Sequence, residues 1–330
     1  MTTAIMIGKF MPLHKGHKYC IQYGIKNYDR MTVYIDDFNP EPFGKGYISV
    51  EDRYNIINNE FGDKINLVSS KQRNPQCPSE TDDFWNIWKD LIIEANGSVP
   101  DYIIGSEAYI EKLAEVIGCQ FEIIDINRDV FNISATEVRE NLSENWDMLP
   151  KSTQDYFKRR IAILGPESSG KTTMTRKMSK KFHMSRVPEF AMDFLQELDR
   201  DLTIKDMDSI YKGQREYLEK YGKEPYIISD TDAITTNIWS EKLFGTFNED
   251  AFSKNETDFN LYILMNLENY NFQDIKGRYY DDISIQKWFF NKFIEELEKR
   301  NKRYIIVEGK TWEEKEKFIE EIIAKELYIS

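Results

Sequence analysis

Two segments of this 330-residue sequence combine residue types at spacings that suit chemistry on phosphates. The first is Gly8–His17 (GKFMPLHKGH), which follows an apolar run and precedes a helix-like stretch. At such a junction, free N–H groups and the positive end of a helix dipole favour an anion, and Gly16 leaves room for a ligand. His14 and His17 could donate hydrogen bonds to phosphate oxygens. Surface or capping histidines are the ordinary alternative, which the pairing of two of the chain's three histidines disfavours.

The second segment is Gly165–Thr172 (GPESSGKT), a complete match to the phosphate-loop pattern G-x-x-x-x-G-K-[ST]. It stands between an apolar run at 160–164 and a helix-like stretch, which is the context that the pattern requires. Backbone N–H groups would cradle the phosphates, Lys171 would reach the β- and γ-phosphate oxygens, and the Thr172 hydroxyl would coordinate Mg²⁺. The predicted ATP-binding residues of this loop are Gly165, Glu167, Ser168, Ser169, Gly170, Lys171, Thr172 and Thr173.

Three carboxylates and one arginine are candidates for the rest of this second site. Asp230 and Asp232 follow an apolar run at 226–229, at the edge of a sheet where α/β proteins bind ligands. We predict that one of them supports Mg²⁺ and that the other contacts the acceptor hydroxyl, although the sequence does not say which. A solvated turn is the alternative. Glu189 is a candidate contact for an acceptor ribose, and Arg278 is a candidate for closing a loop over the phosphates.

A third segment, Asn132–Arg139 (NISATEVR), complements the histidine segment. Ser134 and Glu137 form the pattern of a capping box at a helix start. The hydroxyls of Ser134 and Thr136, together with Arg139 one turn later, would point at a triphosphate. Positioning and charge neutralisation would then suffice for catalysis, because an acceptor phosphate is already an anionic nucleophile at neutral pH.

The elements that must position these residues alternate regularly along the chain. Short apolar runs separated by helix-length segments predict βαβ units and parallel sheets, hence an α/β fold. The polar segment 141–158, with Pro150 as a breaker, separates two such series, so we predict domains 1–157 and 158–330. The predicted strands are 4–8, 31–35, 65–69, 101–106 and 121–125 in the first domain, and 160–165, 226–230, 261–265 and 303–307 in the second.

Composition narrows the class of protein. Lys and Arg number 44 against 57 Asp and Glu, so the net charge of −13 is opposite to the basic surface expected of a nucleic-acid-binding protein. No apolar run approaches the ~20 residues of a membrane-spanning helix. The three cysteines are far apart and lack CxxC spacing, which favours a reducing cytoplasm over a disulfide framework or a zinc site. We therefore expect small-molecule partners, no nucleic acid and no membrane, and the sequence leaves oligomerisation open.

The histidine segment, at Gly8, Phe10, Pro12, His14, Gly16 and His17, resembles the H-x-G-H signature of nucleotidylyltransferases. The segment 132–139 is similar to the I-S-x-T-x-x-R element of the same superfamily. Followed by a phosphate loop, this combination resembles the NadR family, in which a nicotinamide mononucleotide adenylyltransferase domain precedes a ribosylnicotinamide kinase domain. The resemblance implies a Rossmann-like nucleotidylyltransferase sheet and a P-loop kinase sheet. It also implies that nicotinamide riboside, nicotinamide mononucleotide and NAD are ligands, with ATP as substrate and Mg²⁺ as cofactor.

The resemblance also implies individual roles. His14 and His17 would stabilise the α-phosphate during adenylyl transfer. In the kinase, Lys171, Asp230 and Asp232 would be catalytic, Thr172 and Asp230 would hold the metal, and Glu189 and Asp232 would contact the riboside. Trp85 and Trp88 would stack on the pyridinium, although a core aromatic stripe is as good an interpretation for one of them, and Arg53 would join that site. The residues implied for ATP in the first domain are Gly8, Lys9, Phe10, Gly16, Ser134, Thr136 and Arg139.

Two departures and two alternatives accompany this resemblance. Many bacterial members begin with a helix-turn-helix domain, which we expect this chain to lack because its first predicted strand starts a few residues before Gly8. Lys276-Gly277 replaces an expected Asp-Gly pair before Arg278. One alternative is another nucleotidylyltransferase–kinase fusion, such as a flavin-adenylating protein, whose usual kinase partner is a β-barrel without a phosphate loop. The other is an NAD-sensing regulator in which one or both sites are weak.

Overall fold

The computed structural model describes residues 1–36, 48–266 and 283–327. The chain divides into two compact units, 1–157 and 158–330. Each unit is built on a five-stranded sheet whose strands are all parallel and are connected through helices. The predicted α/β class with two parallel sheets is therefore confirmed. No helix in the described residues is long and apolar enough to cross a membrane.

The first unit has the strand order β3-β2-β1-β4-β5. Its strands are β1 (Thr3–Gly8), β2 (Arg30–Ile35), β3 (Asn66–Ser69), β4 (Tyr102–Gly105) and β5 (Gln120–Ile123), and its helices are α1 (Lys15–Asn27), α2 (Val50–Phe61), α3 (Phe84–Asn96), α4 (Tyr109–Ile117), α5 (Ala135–Glu140) and α6 (Lys151–Phe157). The order reverses between β1 and β4, so the crevice at the carboxyl ends of these two strands is where such a sheet binds ligands.

Burial on both faces explains why β1 reads as a continuous apolar run. Ala4 and Met6 pack in one core cluster with α1 and α2, whereas Ile5 and Ile7 pack in another with α3 and α4. A parallel strand covered on both faces has no solvated side, so its sequence does not alternate between apolar and polar residues. The core thus holds the loop after β1 rigidly at the ligand-binding edge.

The second unit has the strand order β10-β9-β6-β8-β7. Its strands are β6 (Arg159–Leu164), β7 (Ser185–Val187), β8 (Tyr226–Ser229), β9 (Leu261–Leu264) and β10 (Tyr304–Ile306), and its helices are α7 (Lys171–Phe182), α8 (Phe190–Glu197), α9 (Ile204–Tyr221), α10 (Ala233–Phe244), α11 (Glu249–Asn255), α12 (Ile283–Lys299) and α13 (Trp312–Glu326). Residues of α7 and α13 pack on one face of the sheet, and residues of α9 to α12 pack on the other.

Sequence reasoning missed strand β7. It has only three residues, lies at the edge of the sheet and carries Arg186 at its centre. A run this short gives no apolar periodicity, and pairing with β8 rather than strand propensity fixes it. This omission matters for function because the chain leaves β7 directly into the second candidate site.

Candidate active sites

His14 and His17 are brought together at the start of α1. His14 is the N-cap of the helix, and its Nδ1 accepts a hydrogen bond from the backbone N–H of His17 at 3.3 Å. The two imidazoles are stacked with their centroids 3.7 Å apart, and the Phe10 ring meets His17 edge-on at 5.0 Å. Because Nδ1 of His14 is an acceptor, the neutral ring carries its proton on Nε2, where it can be donated to a ligand.

Both imidazoles are neutral at neutral pH. Burial, followed by the nearby Arg128 guanidinium, lowers the pKa of His14 to about 4. Burial, the stacked His14 and Arg128 lower the pKa of His17 well below its ordinary value. A neutral imidazole that donates from a fixed position requires no protonation step, so the pair suits hydrogen bonding to a phosphate rather than acid catalysis.

Arg139 joins the third sequence segment to the first. Its Nη1 donates to the carbonyl of Met11 at 2.5 Å, across 128 positions of sequence, and its Nη2 donates to the Thr136 hydroxyl at 3.0 Å. The predicted capping box is present: the Ser134 hydroxyl accepts from Glu137 N at 3.2 Å, and Ser134 N donates to the Glu137 carboxylate at 2.7 Å. The turn before α5 is therefore fixed beside the histidines.

Arg53 stabilises the start of the loop after β1 by donating hydrogen bonds to backbone carbonyls. Its side chain is 1% exposed, and Nη1 donates to the carbonyl of Lys9 at 2.7 Å and to that of Asp36 at 3.0 Å. These contacts make Arg53 a structural anchor of the loop after β1, and its implied contact with the mononucleotide stays a prediction. Gly16 lies directly under the His14 ring: a Cβ there would come within 3.1 Å of that imidazole.

The two tryptophans of α3 differ in environment. Trp88 is 8% exposed, packs in the core with Tyr34 and Phe84, and donates from Nε1 to the carbonyl of Pro75 at 3.0 Å. Trp85 is half-buried at the margin of the same cluster. The core-stripe interpretation therefore fits Trp88, and stacking on a pyridinium stays a prediction that suits Trp85 better.

Arg128 is a candidate functional residue that sequence reasoning missed. It lies in the loop after β5, in a left-handed conformation with φ 57°, and the Asp125 carboxylate accepts backbone N–H groups later in that loop. Its guanidinium is 3.5 Å from the Glu107 carboxylate and acts electrostatically on both histidines. A basic residue after an apolar strand and shortly before the I-S-x-T segment was the available signal.

In the second unit, the phosphate loop connects β6 to α7. Gly165 has φ 148°, and a Cβ there would lie 2.9 Å from the Ser169 hydroxyl and 3.0 Å from Met265, so only glycine fits. Gly170 caps α7 in a left-handed conformation. Lys171 donates from Nζ to the carbonyl of Pro166 at 2.9 Å. Its side chain therefore lies back across the phosphate loop. The loop residues Glu167, Ser168, Thr172 and Thr173 are partly or fully accessible, whereas Ser169 is buried.

Glu189 lies within electrostatic reach of both Lys171 and Asp230. Burial raises the pKa of Glu189; the Lys171 charge opposes this rise, while Asp230 and Glu167 add to it. Asp230 is 1% exposed, and its carboxylate accepts from Arg186 Nη2 at 3.1 Å and from the Thr175 hydroxyl at 3.4 Å. Arg186, from the strand that sequence reasoning missed, is thus a further charged group beside this site.

Asp232 occupies a different environment from Asp230. It is the N-cap of α10, and its Oδ1 accepts from Thr235 N at 3.2 Å. Burial raises the pKa of Asp232 to about 7, against hydrogen bonds from backbone N–H groups and Tyr262, and the charge acting on it is that of Lys302. Tyr262 packs with α9 to α12, on the face of the sheet opposite α7. The catalytic and riboside roles of Asp232 stay predictions that these contacts do not support.

Replacing Asp232 with asparagine should separate capping from catalysis. Asparagine caps helices as well as aspartate does, and it removes the buried charge. Because the folded pKa lies above the unfolded value, stability is lost as pH rises through about 7. Asp232→Asn should therefore raise the free energy of unfolding by on the order of 2–4 kcal/mol at pH 8, and by less than half as much at pH 5. Urea denaturation at both pH values measures this difference.

Kinase activity is the second readout for this variant. If Asp232 only caps α10, phosphoryl transfer by Asp232→Asn should stay within a few-fold of the wild type. Asp232→Ala, which loses the cap, should be less stable than Asp232→Asn by about 1 kcal/mol. A collapse of kinase activity in Asp232→Asn would restore the catalytic assignment.

Arg278, and with it the loop that it is predicted to close over the phosphates, lies outside the described residues. Within the described residues, no three His, Cys, Asp or Glu side chains are grouped closely enough to form a metal cage. Magnesium in phosphoryl-transfer sites is usually bound by one or two protein groups plus substrate phosphates. Thr172 and Asp230 are a donor set of that kind.

Comparisons with known proteins find one match to the second unit and several to both units. A family model described as an AAA domain matches residues 160–315. The trifunctional NAD biosynthesis/regulator protein NadR of Escherichia coli (strain K12) is 30% identical over 334 residues, which cover 94% of this chain and 80% of that protein. The protein of the same name from Salmonella typhimurium is 30% identical over 259 residues, which cover 73% of this chain and 63% of that protein.

Two solved structures resemble the whole chain. A NadR protein in complex with NR has 21% identity and a TM-score of 0.53, and a NadR protein in complex with NAD and AMP-PNP has 19% identity and a TM-score of 0.51. Each comparison covers 100% of this chain and 97% of the other. At these identities the likeness establishes the fold alone.

Proposed function

Because this chain belongs to the NadR family, we propose that it makes NAD in two ATP-dependent steps, one in each unit. The second unit phosphorylates nicotinamide riboside to nicotinamide mononucleotide and ADP. The first unit transfers AMP from a second ATP to that mononucleotide, giving NAD and pyrophosphate. The observation that supports this most directly is the hydrogen bond from Arg139 to the carbonyl of Met11. It brings two distant sequence segments together at the edge of the sheet where we propose that phosphate binds.

In the first unit, the residues neutralise and position the reactants. The mononucleotide's phosphate oxygen attacks the α-phosphorus of ATP, and the bond to the β-phosphate oxygen breaks. Neutral His14 donates from Nε2 to the α-phosphate, where charge accumulates in the transition state. Lys9, Arg128 and Arg139 compensate the charge of the departing pyrophosphate. No proton needs to leave the nucleophile, because the acceptor phosphate is already anionic at neutral pH.

In the second unit, we assign to Glu189 the role of proton acceptor. The 5′-hydroxyl of the riboside attacks the γ-phosphorus of ATP, so a proton leaves the hydroxyl as the bond to ADP breaks. Glu189 has the raised pKa that suits such a proton acceptor, and Lys171 and Asp230 act electrostatically on it. Asp230, oriented by Arg186 and Thr175, is then the aspartate for the metal.

Mg²⁺ fits this second site by its donor set. The Thr172 hydroxyl and the Asp230 carboxylate are oxygen ligands of the kind that Mg²⁺ prefers. When bound, the ion would neutralise charge on the β- and γ-phosphates. We also place the chain in a reducing cytoplasm, which its three free cysteines support.

The test is product analysis by chromatography. The purified chain is incubated with Mg-ATP and nicotinamide riboside, and in parallel with Mg-ATP and nicotinamide mononucleotide. NAD from both incubations is expected. Riboside that stops at the mononucleotide would contradict adenylyl transfer, conversion of the mononucleotide alone would contradict the kinase, and no product from either would favour a regulator.

Arg128 gives a sharper test of the first site. Arg128→Met keeps the aliphatic stem and removes the guanidinium, so it should lower kcat/KM for ATP in adenylyl transfer by roughly 10- to 100-fold, the value of one charge-assisted hydrogen bond. Riboside phosphorylation should not change. The control is Arg30→Met at the amino end of β2, away from the carboxyl ends of the strands. Its kcat/KM for ATP should stay within twofold of the wild-type value. Equal activity of Arg128→Met and wild type would exclude a phosphate contact.

A further inference from the structure

Asp36, the residue after β2, is a buried carboxylate that none of the roles above uses. It is 3% exposed, and both oxygens are held by amides: Asn74 Nδ2 donates to Oδ1 at 3.0 Å, and Gln76 Nε2 donates to Oδ2 at 2.8 Å. Its backbone N–H donates to the carbonyl of Gly8 at 3.0 Å. A carboxylate with two amide donors and almost no solvent has one fixed orientation.

Strand register places Asp36 beside Lys9. Gly8 of β1 is paired with Ile35 of β2, so Lys9 and Asp36 are the next residues of the two neighbouring strands. Nη1 of Arg53 donates to the carbonyls of both residues, at 2.7 and 3.0 Å, and so holds their backbones together. The carboxylate is therefore built into the same edge as the loop predicted to bind ATP.

Asp36 affects the protonation of Lys9, whose positive charge burial and two arginines oppose. Burial lowers the pKa of the Lys9 ammonium, and the guanidinium groups of Arg139 (α5) and Arg53 (α2) lower it further. Asp36 is the group that raises it. Tyr109, at the start of α4, also lies within electrostatic reach of Asp36. A phosphate-binding lysine among two arginines needs such a counter-charge to stay protonated and in place.

The same network reaches the other side of the site. Asn74 Nδ2 is also 3.1 Å from the Ser70 hydroxyl and 3.3 Å from the Tyr34 hydroxyl. The carbonyl of Pro75, between the two amides, accepts the indole N–H of Trp88. The loop that orients Asp36 is thus fixed to α3, the helix whose Trp85 is predicted to stack on the pyridinium.

We propose that Asp36, oriented by Asn74 and Gln76, is a positioning residue that holds the Lys9 ammonium charged and in place for ATP. The proposal rests on adenylyl transfer being the function of the first unit. It assigns the loop after β3 a role on the ATP side of the reaction as well as on the acceptor side.

The test is the pH profile of kcat/KM for ATP in nicotinamide mononucleotide adenylylation, from pH 7 to 10. Wild type must first make NAD; if it does not, the proposed function itself fails. In Asp36→Asn, which keeps the shape and the Asn74 contact, the alkaline limb should move to lower pH by about one unit, which is a tenfold loss on that limb. Asp36→Glu keeps the charge and should keep the limb in place, even if kcat falls.

The matched control is Asp101→Asn, at the residue before the amino end of β4. Asp101 is exposed and accepts a backbone N–H and a hydroxyl, both from Thr3, so its replacement removes one carboxylate charge from the same unit at a position away from Lys9. Its alkaline limb should coincide with that of wild type. A purely structural role for Asp36 would lower kcat or the melting temperature without moving the limb, and that result would overturn the proposal.

A second variant covers failure of Asp36→Asn to fold, as judged by circular dichroism. Gln76→Leu retains the charge and removes one of the two donors that orient it, so the limb should move in the same direction by about half a unit. An unmoved limb in Gln76→Leu, with the first unit folded, would equally overturn the proposal.

Discussion

Replacing Lys171 with methionine should reduce riboside phosphorylation by ~10³-fold or more, because the ammonium of a phosphate loop neutralises charge that develops on the transferred phosphoryl group. A loss of that size corresponds to about 4 kcal/mol of transition-state stabilisation. Methionine keeps the aliphatic stem at the start of α7, so the melting temperature should change little. Steady-state assays with riboside and ATP measure the loss.

The other unit supplies the internal control for this variant. Conversion of nicotinamide mononucleotide to NAD should stay within twofold, because the histidine site belongs to a separate compact unit. Lys171→Arg tests charge against shape: the guanidinium is larger and planar, so it should recover a minor part of the activity. If Lys171→Met kept a tenth or more of the kinase activity, ATP would be bound at another place.

Replacing His14 with asparagine should lower adenylyl transfer by roughly 10²- to 10³-fold with a small effect on stability, since one fixed donor to the reacting phosphate is lost. His14 has two roles in the structure, because its Nδ1 caps α1 while Nε2 remains for the ligand. The asparagine side-chain oxygen can replace Nδ1 as the capping acceptor, but asparagine has no donor at the position of Nε2. His14→Ala loses both, so it should also be less stable by about 1 kcal/mol.

The pH dependence gives a second measurement on the same residue. With the His14 pKa lowered to about 4, the imidazole is neutral throughout pH 6 to 8, so its titration should leave the rate flat there. A catalytic imidazolium would instead make the rate fall as pH rises through about 6.5. His14 should also contribute stability above pH 6.5 that is lost as pH falls toward 4, because the unfolded chain binds the proton more tightly.

The sequence predicted the parts of this protein whose chemistry is local. A phosphate loop is a run of backbone N–H groups with one lysine and one hydroxyl, so local spacing specifies it. In Gly165–Thr172, α7 begins at the motif's own Lys171, as the pattern requires. The alternation of apolar runs with helix-length segments predicted both parallel sheets for a similar reason: strands buried on two faces have continuous apolar sequences. Strand β7 escaped because pairing, not composition, forms it.

Other assignments depend on which face of a sheet a side chain reaches. Reasoning from the residues alone left Asp230 and Asp232 equivalent, two positions apart after one strand. In the structure, Asp230 is held by Thr175 of α7 and Arg186 of β7, whereas Asp232 turns to cap α10 beside Tyr262. Likewise, Trp88 is fixed in the core by Pro75, a contact that the spacing of the two tryptophans does not encode.

The sequence by itself thus determined the class of chemistry, two phosphate-binding turns on two parallel sheets, because those turns are specified by neighbouring residues. Only the tertiary structure decided which charges act together. Arg128 reaches the histidines from the loop after β5, Arg53 is buried beneath Lys9, and Asp36 is held by a loop that follows another strand. The physical reason is that the carboxyl ends of parallel strands meet at one edge whatever their distance along the chain, and burial at that edge then sets the protonation state of each group.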